Sequence, residues 1–185
     1  MADVCFLARD AVRGRPAELP EGVNPYEPYL VATIHRADNT DDGDRLREIV
    51  DALRALTVPV MLVAHPRLVA RAATFHIDLT DGALRTMTPL AYPQMVRAVM
   101  GSAGVVTDSG GLQKEAYLLR TPCTTVRTET EWVETLQDGW NILDPRLTHL
   151  HEVAVRPRPT TTQSQPFGDG YAAARVLEAL RTHKP

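Results

Sequence analysis

Two adjacent glycines lie where an apolar run gives way to a helical pattern, in the segment VVTDSGGLQKEA at 105–116. Gly110 and Gly111 have no Cβ, so the backbone can turn sharply there and a ligand can approach it closely. If a helix begins here, its first amide groups lack acceptors within the helix and its dipole favours an anion. A phosphate or diphosphate is then the expected ligand, with Ser109 as helix cap or phosphate donor. The spacing equally allows a simple capped turn.

A carboxylate, Glu115, follows the glycines by about one helical turn. From that position it could accept hydrogen bonds from both vicinal hydroxyls of a ribose. The alternative is a glutamate that faces water. Spacing alone therefore leaves open whether Ser109 and Glu115 bind the phosphate and ribose of a nucleotide.

Two further polar groups also follow apolar runs directly. His35 and Arg36 come after one run, and His65 comes after the next. A histidine can titrate near neutral pH or donate to a phosphate, and an arginine binds oxyanions through paired N–H groups. The alternatives are a histidine satisfied by the backbone, an arginine paired with Asp38, and a loop-shaping role for His65.

Another polar segment, TETEW at 128–132, follows a later apolar run and is preceded by Arg127. It could hold a nucleotide or a sugar, or it could cap a short helix before Gly139. The remaining histidines have polar or terminal contexts, and we expect them to be solvated: His76, His149, His151 and His183. Because neither histidines nor cysteines have the spacing of metal ligands, the sequence predicts no metal site.

Short apolar runs alternate with helical patterns along most of the chain. The predicted strands are 29–34, 58–64, 84–87, 104–107, 122–126 and 141–143. The predicted helices begin near Thr40, Pro66, Tyr92, Gly111 and Thr148, and a last one runs from Tyr171 to about Arg181. This alternation indicates an α/β fold, a parallel sheet with helices on both faces, in which ligands bind beyond the carboxyl ends of the strands. We therefore expect the polar groups to share one edge of the sheet.

The first 28 residues have a different pattern. Residues 2–13 carry apolar side chains at helical spacing, whereas 14–28 contain several prolines and glycines and are typical of a linker. We predict that 1–28 is a helix and linker, that the main domain is 29–185, and that the chain begins inside a larger architecture. A polar, proline-containing stretch at 156–166 precedes the last helix.

The composition argues against several classes of partner. The chain has 185 residues and a formal net charge of −3, so we expect no broad basic surface for nucleic acid or an anionic membrane. No apolar run approaches the roughly 18 residues that cross a bilayer, and the N-terminus lacks the basic region of a signal peptide. Cys5 and Cys123 are predicted to be buried, reduced thiols of a cytoplasmic protein.

Taken together, the polar segments resemble the non-hydrolysing UDP-N-acetylglucosamine 2-epimerase family. The stretches that carry the resemblance are VATIHRADN (31–39), VMLVAHPR (60–67), PLAYPQMV (89–96), VVTDSGGLQKEA (105–116), RTETEWVETLQDGWNIL (127–143) and PFGDGYAAARVLEAL (166–180). They cover most of the chain from Tyr29 onward, in the order of the family. The match is specific because the HR, DSGG, TEW and FGDG elements coincide.

The resemblance implies a GT-B-like fold of two Rossmann-like domains, of which this chain supplies only the C-terminal one. Residues 1–28 would then be the helix and linker from the crossover between the two domains, and 29–185 the UDP-binding domain. The N-terminal domain would then be a missing partner, and the full-length form would be a homodimer. The implied reaction eliminates UDP across C1–C2 of UDP-GlcNAc and adds it back with inversion at C2, which gives UDP-ManNAc. It needs no cofactor, and it belongs to the biosynthesis of cell-surface polysaccharides.

The resemblance also implies roles for individual residues. Ser109, Gly110 and Gly111 would hold the diphosphate of UDP, and Glu115 would bind the ribose hydroxyls. The backbone near Met95 would contact the uracil.

Three basic residues complete the implied site. His35 would reach the phosphates or the sugar and assist the departure of UDP. Arg36 matches an arginine that in some members contacts an activating, allosteric UDP-GlcNAc. Arg127 could supply a contact that other members obtain from an arginine at the position of Trp132.

Departures from the family pattern leave alternatives open. The TEW form also occurs among relatives that act on UDP-diacetamido-uronic acid sugars. Lys114 stands where the family often has an acidic residue. Asp38 stands where the family commonly has glutamate. A GT-B glycosyltransferase domain and a stand-alone UDP-sugar-binding or regulatory module are the other interpretations. Because the family's proton-transferring carboxylates lie in the N-terminal domain, we expect this chain alone to bind UDP weakly and not to epimerise.

Overall fold

The computed structural model describes residues 1–160 and 165–182. Its six strands are β1 (Leu30–Thr33), β2 (Val60–Val63), β3 (Leu84–Met87), β4 (Gly104–Thr107), β5 (Cys123–Thr125) and β6 (Asn141–Leu143). They form one sheet in the order β3-β2-β1-β4-β5-β6, and all neighbours pair in parallel. This is the strand order of Rossmann-like folds, so the predicted parallel sheet is confirmed.

Helices follow most of the strands. They are α1 (Ala2–Val12), α2 (Ala37–Thr40), α3 (Gly43–Arg54), α4 (Pro66–Thr74), α5 (Tyr92–Gly101), α6 (Gly110–Leu118), α7 (Leu150–Val153) and α8 (Ala172–Thr182), with a 3-10 helix at Val133–Gly139. The sequence pattern does not predict α2, because four residues are too few to show a helical period. The other helices lie where they are predicted, within a few residues.

Two apolar clusters form the core, one on each face of the sheet. Successive strand residues point to opposite faces, so Leu30 and Ala32 enter one cluster and Val31 enters the other. Every residue of β2 and β4 is buried. Burial on both faces explains why these strands are continuous apolar runs in the sequence.

The two terminal helices differ in how they pack. Helix α1 buries one side, including Cys5 and Val12, in the second cluster, and it contacts α5 and α6. Helix α8 has no buried residue. The assignment of 1–28 to a crossover segment remains a prediction.

Parts of two sequence predictions lie outside the described residues. They are residues 161–164 of the polar stretch, and residues 183–185 at the end of the predicted domain, with His183. In the part of the chain that the structure describes, no helix is long and apolar enough to cross a membrane.

Candidate functional site

The loop after β4 is tied to the sheet and begins α6. Ser109 is the N-cap of this helix, and its Oγ accepts a hydrogen bond from the N–H of Leu112 at 3.4 Å. The N–H of Ser109 donates to Oγ1 of Thr107 at 3.0 Å, and that hydroxyl lies 2.6 Å from the hydroxyl of Thr33. The start of α6 is therefore held by hydroxyls of two neighbouring strands.

The two glycines, Gly110 and Gly111, have different surroundings. A Cβ on Gly111 would meet no atom closer than Oγ of Ser109 at 3.8 Å, so this side of the backbone is open. A Cβ on Gly110 would lie 2.1 Å from Oε1 of Glu131. Gly111 thus leaves room for a ligand, whereas Gly110 leaves room for a side chain of the protein itself.

The buried carboxylate of Asp108 organises the loop after β1. It accepts hydrogen bonds from the N–H groups of His35 at 3.0 Å and Arg36 at 2.9 Å, and from Nδ2 of Asn39 at 3.1 Å. Its Oδ1 also lies 3.3 Å from Nδ1 of His35. Asp108 is completely buried, and a buried carboxylate requires such donors. With Nδ1 facing Asp108, Nε2 is the ring nitrogen left for a ligand.

Sequence reasoning gave Asp108 no role of its own. One signal was available: Asp108 is a charged residue directly after a buried strand. A charged side chain is rarely buried unless it has partners, so this position indicates a carboxylate with hydrogen-bond donors around it.

A cavity of about 270 Å³ lies at this edge of the sheet. Five of the predicted site residues line it: His35, Met95, Ser109, Gly111 and Glu115. The rest of its wall is Thr33, Val63, His65, Pro89 and Leu112. The imidazole rings of His35 and His65 face each other with centroids 5.3 Å apart. Side chains as distant in the sequence as those of Thr33 and Glu115 thus share one concave surface.

Glu115 is a partly buried carboxylate in that wall. Burial raises its pKa, and a hydrogen bond from Tyr92 opposes the rise. Behind this pair lies Cys5, whose thiol pKa burial raises to about 11. Because Glu115 is poorly solvated, hydroxyl donors from a ligand would compensate for water that it has lost.

Arg36 and Arg127 line a second cavity, of about 350 Å³, rather than the first. The carboxylate of Glu131 joins them. Its Oε2 accepts a hydrogen bond from Nη1 of Arg127 at 2.7 Å, and its Oε1 lies 3.9 Å from Nη2 of Arg36. Among the described ion pairs, Arg36 therefore pairs with Glu131 and not with Asp38. The sequence does not predict the pair of Arg36 with Glu131, because Thr and Glu alternate at 128–131 and nothing distinguishes Glu131 from Glu129.

The 128–132 segment both borders the site and begins the 3-10 helix. Oγ1 of Thr130 donates to Oε1 of Gln113, a completely buried side chain of α6, at 2.6 Å. The carbonyl of Trp132 accepts from the N–H and the hydroxyl of Thr135. The Lys114 ammonium lies 4.2 Å from the centroid of the Trp132 ring. The capping interpretation therefore describes the structure of the segment, and its contact with a nucleotide or sugar stays a prediction.

The other predicted histidine and cysteine positions have ordinary surroundings. Nδ1 of His65 accepts from the N–H of Arg67 at 3.1 Å, so His65 caps α4 as well as lining the first cavity. The histidines at 76, 149 and 151 are exposed. Cys5 and Cys123 are buried and unpaired, and burial raises the pKa of Cys123 to about 12. Within residues 1–160 and 165–182, no group of three or more metal-ligating side chains is assembled.

Comparison with known proteins identifies the family. The family model described as UDP-N-acetylglucosamine 2-epimerase matches residues 1–181. The chain belongs to this family.

Individual relatives agree with that assignment. A UDP-N-acetylglucosamine 2-epimerase homolog of Methanococcus maripaludis is 35% identical over 158 residues, which are 83% of this chain and 44% of that protein. The UDP-2,3-diacetamido-2,3-dideoxy-D-glucuronate 2-epimerase of Pseudomonas aeruginosa is 35% identical over 170 residues, 89% of this chain and 47% of that protein.

A solved structure gives the same result. The Methanocaldococcus jannaschii UDP-GlcNAc 2-epimerase in complex with UDP-GlcNAc and UDP matches with a TM-score of 0.82 and 26% identity, over 98% of this chain and 52% of that chain. The chain thus spans about half the length of the relatives it matches. Its fold is one Rossmann-like half of their GT-B-like architecture.

Proposed function

We propose that this chain binds the UDP portion of a UDP-sugar and acts as the nucleotide-binding half of a UDP-sugar 2-epimerase. The observation that carries the proposal is the first cavity, where the start of α6, Glu115 and His35 converge at one sheet edge. A family match over residues 1–181 supports it. The bound UDP-GlcNAc and UDP named for the Methanocaldococcus jannaschii enzyme support the ligand class.

The diphosphate binds at the N-terminus of α6 in this proposal. The hydroxyl of Ser109 and the open backbone of Gly111 contact its oxygens, and the helix dipole favours its charge. The desolvated Glu115 accepts from the ribose hydroxyls, and the backbone near Met95 meets the uracil. The closely packed Gly110 supports the turn.

His35 acts on the leaving group. Asp108 holds Nδ1, so Nε2 is directed at the diphosphate and can donate a hydrogen bond or a proton as the C1–O bond breaks. Elimination breaks the C1–O bond, removes the C2 hydrogen as a proton and leaves UDP with an enzyme-bound 2-acetamidoglucal. UDP then adds back to C1 while a proton adds to C2 from the opposite face, which inverts the configuration at C2. The base for that proton comes from residues beyond this chain, so the chain alone binds UDP without epimerising it.

The first candidate for the sugar is N-acetylglucosamine. A diacetamido-uronic acid sugar is the second candidate, and the Pseudomonas aeruginosa relative, 35% identical, carries that substrate in its name. The two differ in a carboxylate at C6 and an acetamido group at C3, both of which lie away from the diphosphate. The complementary half therefore contributes to the choice between them.

The proposal includes the setting of the whole protein. The complementary N-terminal half covers the first cavity, the complete protein is a cytoplasmic homodimer, and residues 1–28 connect the halves.

Exchange of the C2 hydrogen tests the reaction. The chain is joined to the N-terminal half of a relative, and UDP-GlcNAc is incubated with the product in deuterated water. An epimerase incorporates deuterium at C2 and forms UDP-ManNAc, and His35→Ala slows both. Absence of exchange and of inversion, with UDP still bound, would reject the epimerase and leave a UDP-sugar-binding module.

A further inference from the structure

The Glu131 carboxylate lies against the N-terminus of α6. Its Oε1 is so close to Gly110 that a Cβ on this glycine would be 2.1 Å away. Gly110 stands between Ser109 and Gly111, which line the first cavity, while the arginines that pair with Glu131 line the second. Glu131 therefore lies where the walls of the two cavities meet.

The groups around this carboxylate are positively charged and would stabilise any anion in its place. Arg127 donates to it at 2.7 Å, Arg36 lies 3.9 Å away, and the helix dipole of α6 points its positive end at it. A hydrogen bond from its own backbone N–H and then the guanidinium of Arg127 lower the pKa of Glu131. An ionised side chain of the protein thus fills a site with the electrostatics of a phosphate site.

A buried donor beside Glu131 has no acceptor. Nε1 of Trp132 is buried without a hydrogen-bond partner in the described part of the chain, and it would lie 3.5 Å from a Cβ on Gly110. A buried N–H without an acceptor costs free energy until an acceptor arrives. The donor and the carboxylate therefore share one small space, but Glu131 does not satisfy the indole.

We propose that Glu131 is an internal competitor of the ligand: its carboxylate occupies the position of a phosphate group, and a diphosphate displaces it and accepts from Nε1 of Trp132. This inference rests on the proposed UDP site and adds a residue that opposes binding and one that supports it. Arg127 and Arg36 then pair with the phosphate instead of the carboxylate. An anion, either the carboxylate or the phosphate, therefore always occupies this positively charged site. The two arginines and the helix N-terminus are then never left without a negative partner.

The structure allows this exchange with little movement. The Glu131 side chain is 44% exposed, so it can rotate into solvent. The preceding Thr130 is anchored through its hydroxyl to the buried Gln113, so the backbone of the segment stays in place. Only a side chain has to leave, and Nε1 of Trp132 stays beside the same space.

Calorimetric titrations of Glu131→Gln and of the unaltered chain test the proposal with three probes: UDP, inorganic pyrophosphate and uridine. Glu134→Gln is the matched control, since it removes the same charge three residues away. We expect Glu131→Gln to bind UDP and pyrophosphate about tenfold more tightly, and uridine unchanged, because only the phosphates compete with the carboxylate. Trp132→Phe should weaken UDP severalfold and leave uridine unchanged.

The outcomes separate this inference from the proposed function. Equal or weaker binding of UDP by Glu131→Gln, with UDP still bound by the unaltered chain, would overturn the inference alone. The same gain in Glu134→Gln, or a gain for uridine, would also overturn it, since the effect would then be one of general charge or of loop movement. Failure of UDP to bind any variant would reject the UDP site and this inference with it.

Discussion

Asp108 and His35 are joined both through the backbone and through the ring: the buried carboxylate accepts the N–H of His35 at 3.0 Å and approaches its Nδ1 to 3.3 Å. One aspartate at the end of β4 therefore fixes both the position and the orientation of a histidine at the end of β1. The pair crosses two adjacent strands, which makes the sheet edge a rigid base for the first cavity.

Asp108→Asn should damage both stability and the site. An amide presents two N–H donors where the carboxylate only accepts, so some buried donors lose their acceptor. We expect a loss of about 3 kcal/mol in the free energy of unfolding, measured by urea denaturation, and weaker UDP binding. The control is Asp38→Asn, an exposed change of the same kind in α2. Equal stability of the two variants would contradict the role of Asp108.

Gly111→Ala should separate ligand binding from folding. The added methyl group meets no protein atom within 3.4 Å, and alanine favours a helix by up to about 1 kcal/mol over glycine. The variant should therefore be at least as stable as the unaltered chain, whereas its UDP affinity should fall at least tenfold because the methyl group enters the space of the diphosphate. Unchanged affinity in calorimetry would move the diphosphate away from Gly111.

Glu115→Gln should bind UDP less well but fold more stably. Burial raises the pKa of Glu115 in the folded state, so the folded state holds the proton more tightly than the unfolded state does. The ionised carboxylate then opposes folding: stability is lost as pH rises from about 4.5, the ordinary glutamate value, through the raised pKa.

Glutamine removes that loss. The variant should exceed the unaltered chain in free energy of unfolding at pH 8, and the difference should shrink as pH falls towards 4.5. Urea denaturation at both pH values checks it. A variant less stable at pH 8 would show that Glu115 is better compensated than its burial indicates.

Helix α8 should promote self-association of the chain. Val176, Leu177 and Leu180 are each more than half exposed, and a contiguous apolar surface favours association. We expect sedimentation velocity to show concentration-dependent association that the double variant Leu177→Ser with Leu180→Ser reduces, and that the control Glu178→Gln leaves unchanged. A monomer at all concentrations would contradict this expectation.

The sequence predicts most of the fold because inner strands of the sheet are buried on both sides. Runs such as those of β2 and β4 have no polar face, and between helical patterns they indicate a parallel sheet. The edge that holds the site follows from the sheet, since the carboxyl ends of parallel strands meet there. For this reason the sequence predicts that Ser109 and Glu115 lie near His35, and all three line the first cavity.

The contacts within the site were less predictable, because they join residues that are distant in the sequence. Asp108 finds its donors in a loop about 70 residues earlier, and Gly110 finds its neighbour in Glu131 about 20 residues later. Arg36 likewise lines the second cavity, where it pairs with that glutamate. Such pairings are set by strand order and side-chain rotamers, neither of which leaves a periodic signal.

A UDP titration of the chain followed by NMR is the most direct test of the account. Binding at the first cavity should shift the amide signals of Gly111 and Leu112 and the imidazole signals of His35. The double variant Ser109→Ala with Glu115→Ala should lower the affinity by at least tenfold without loss of the folded spectrum. If UDP binds the double variant as tightly as the unaltered chain, the nucleotide site does not lie at the start of α6.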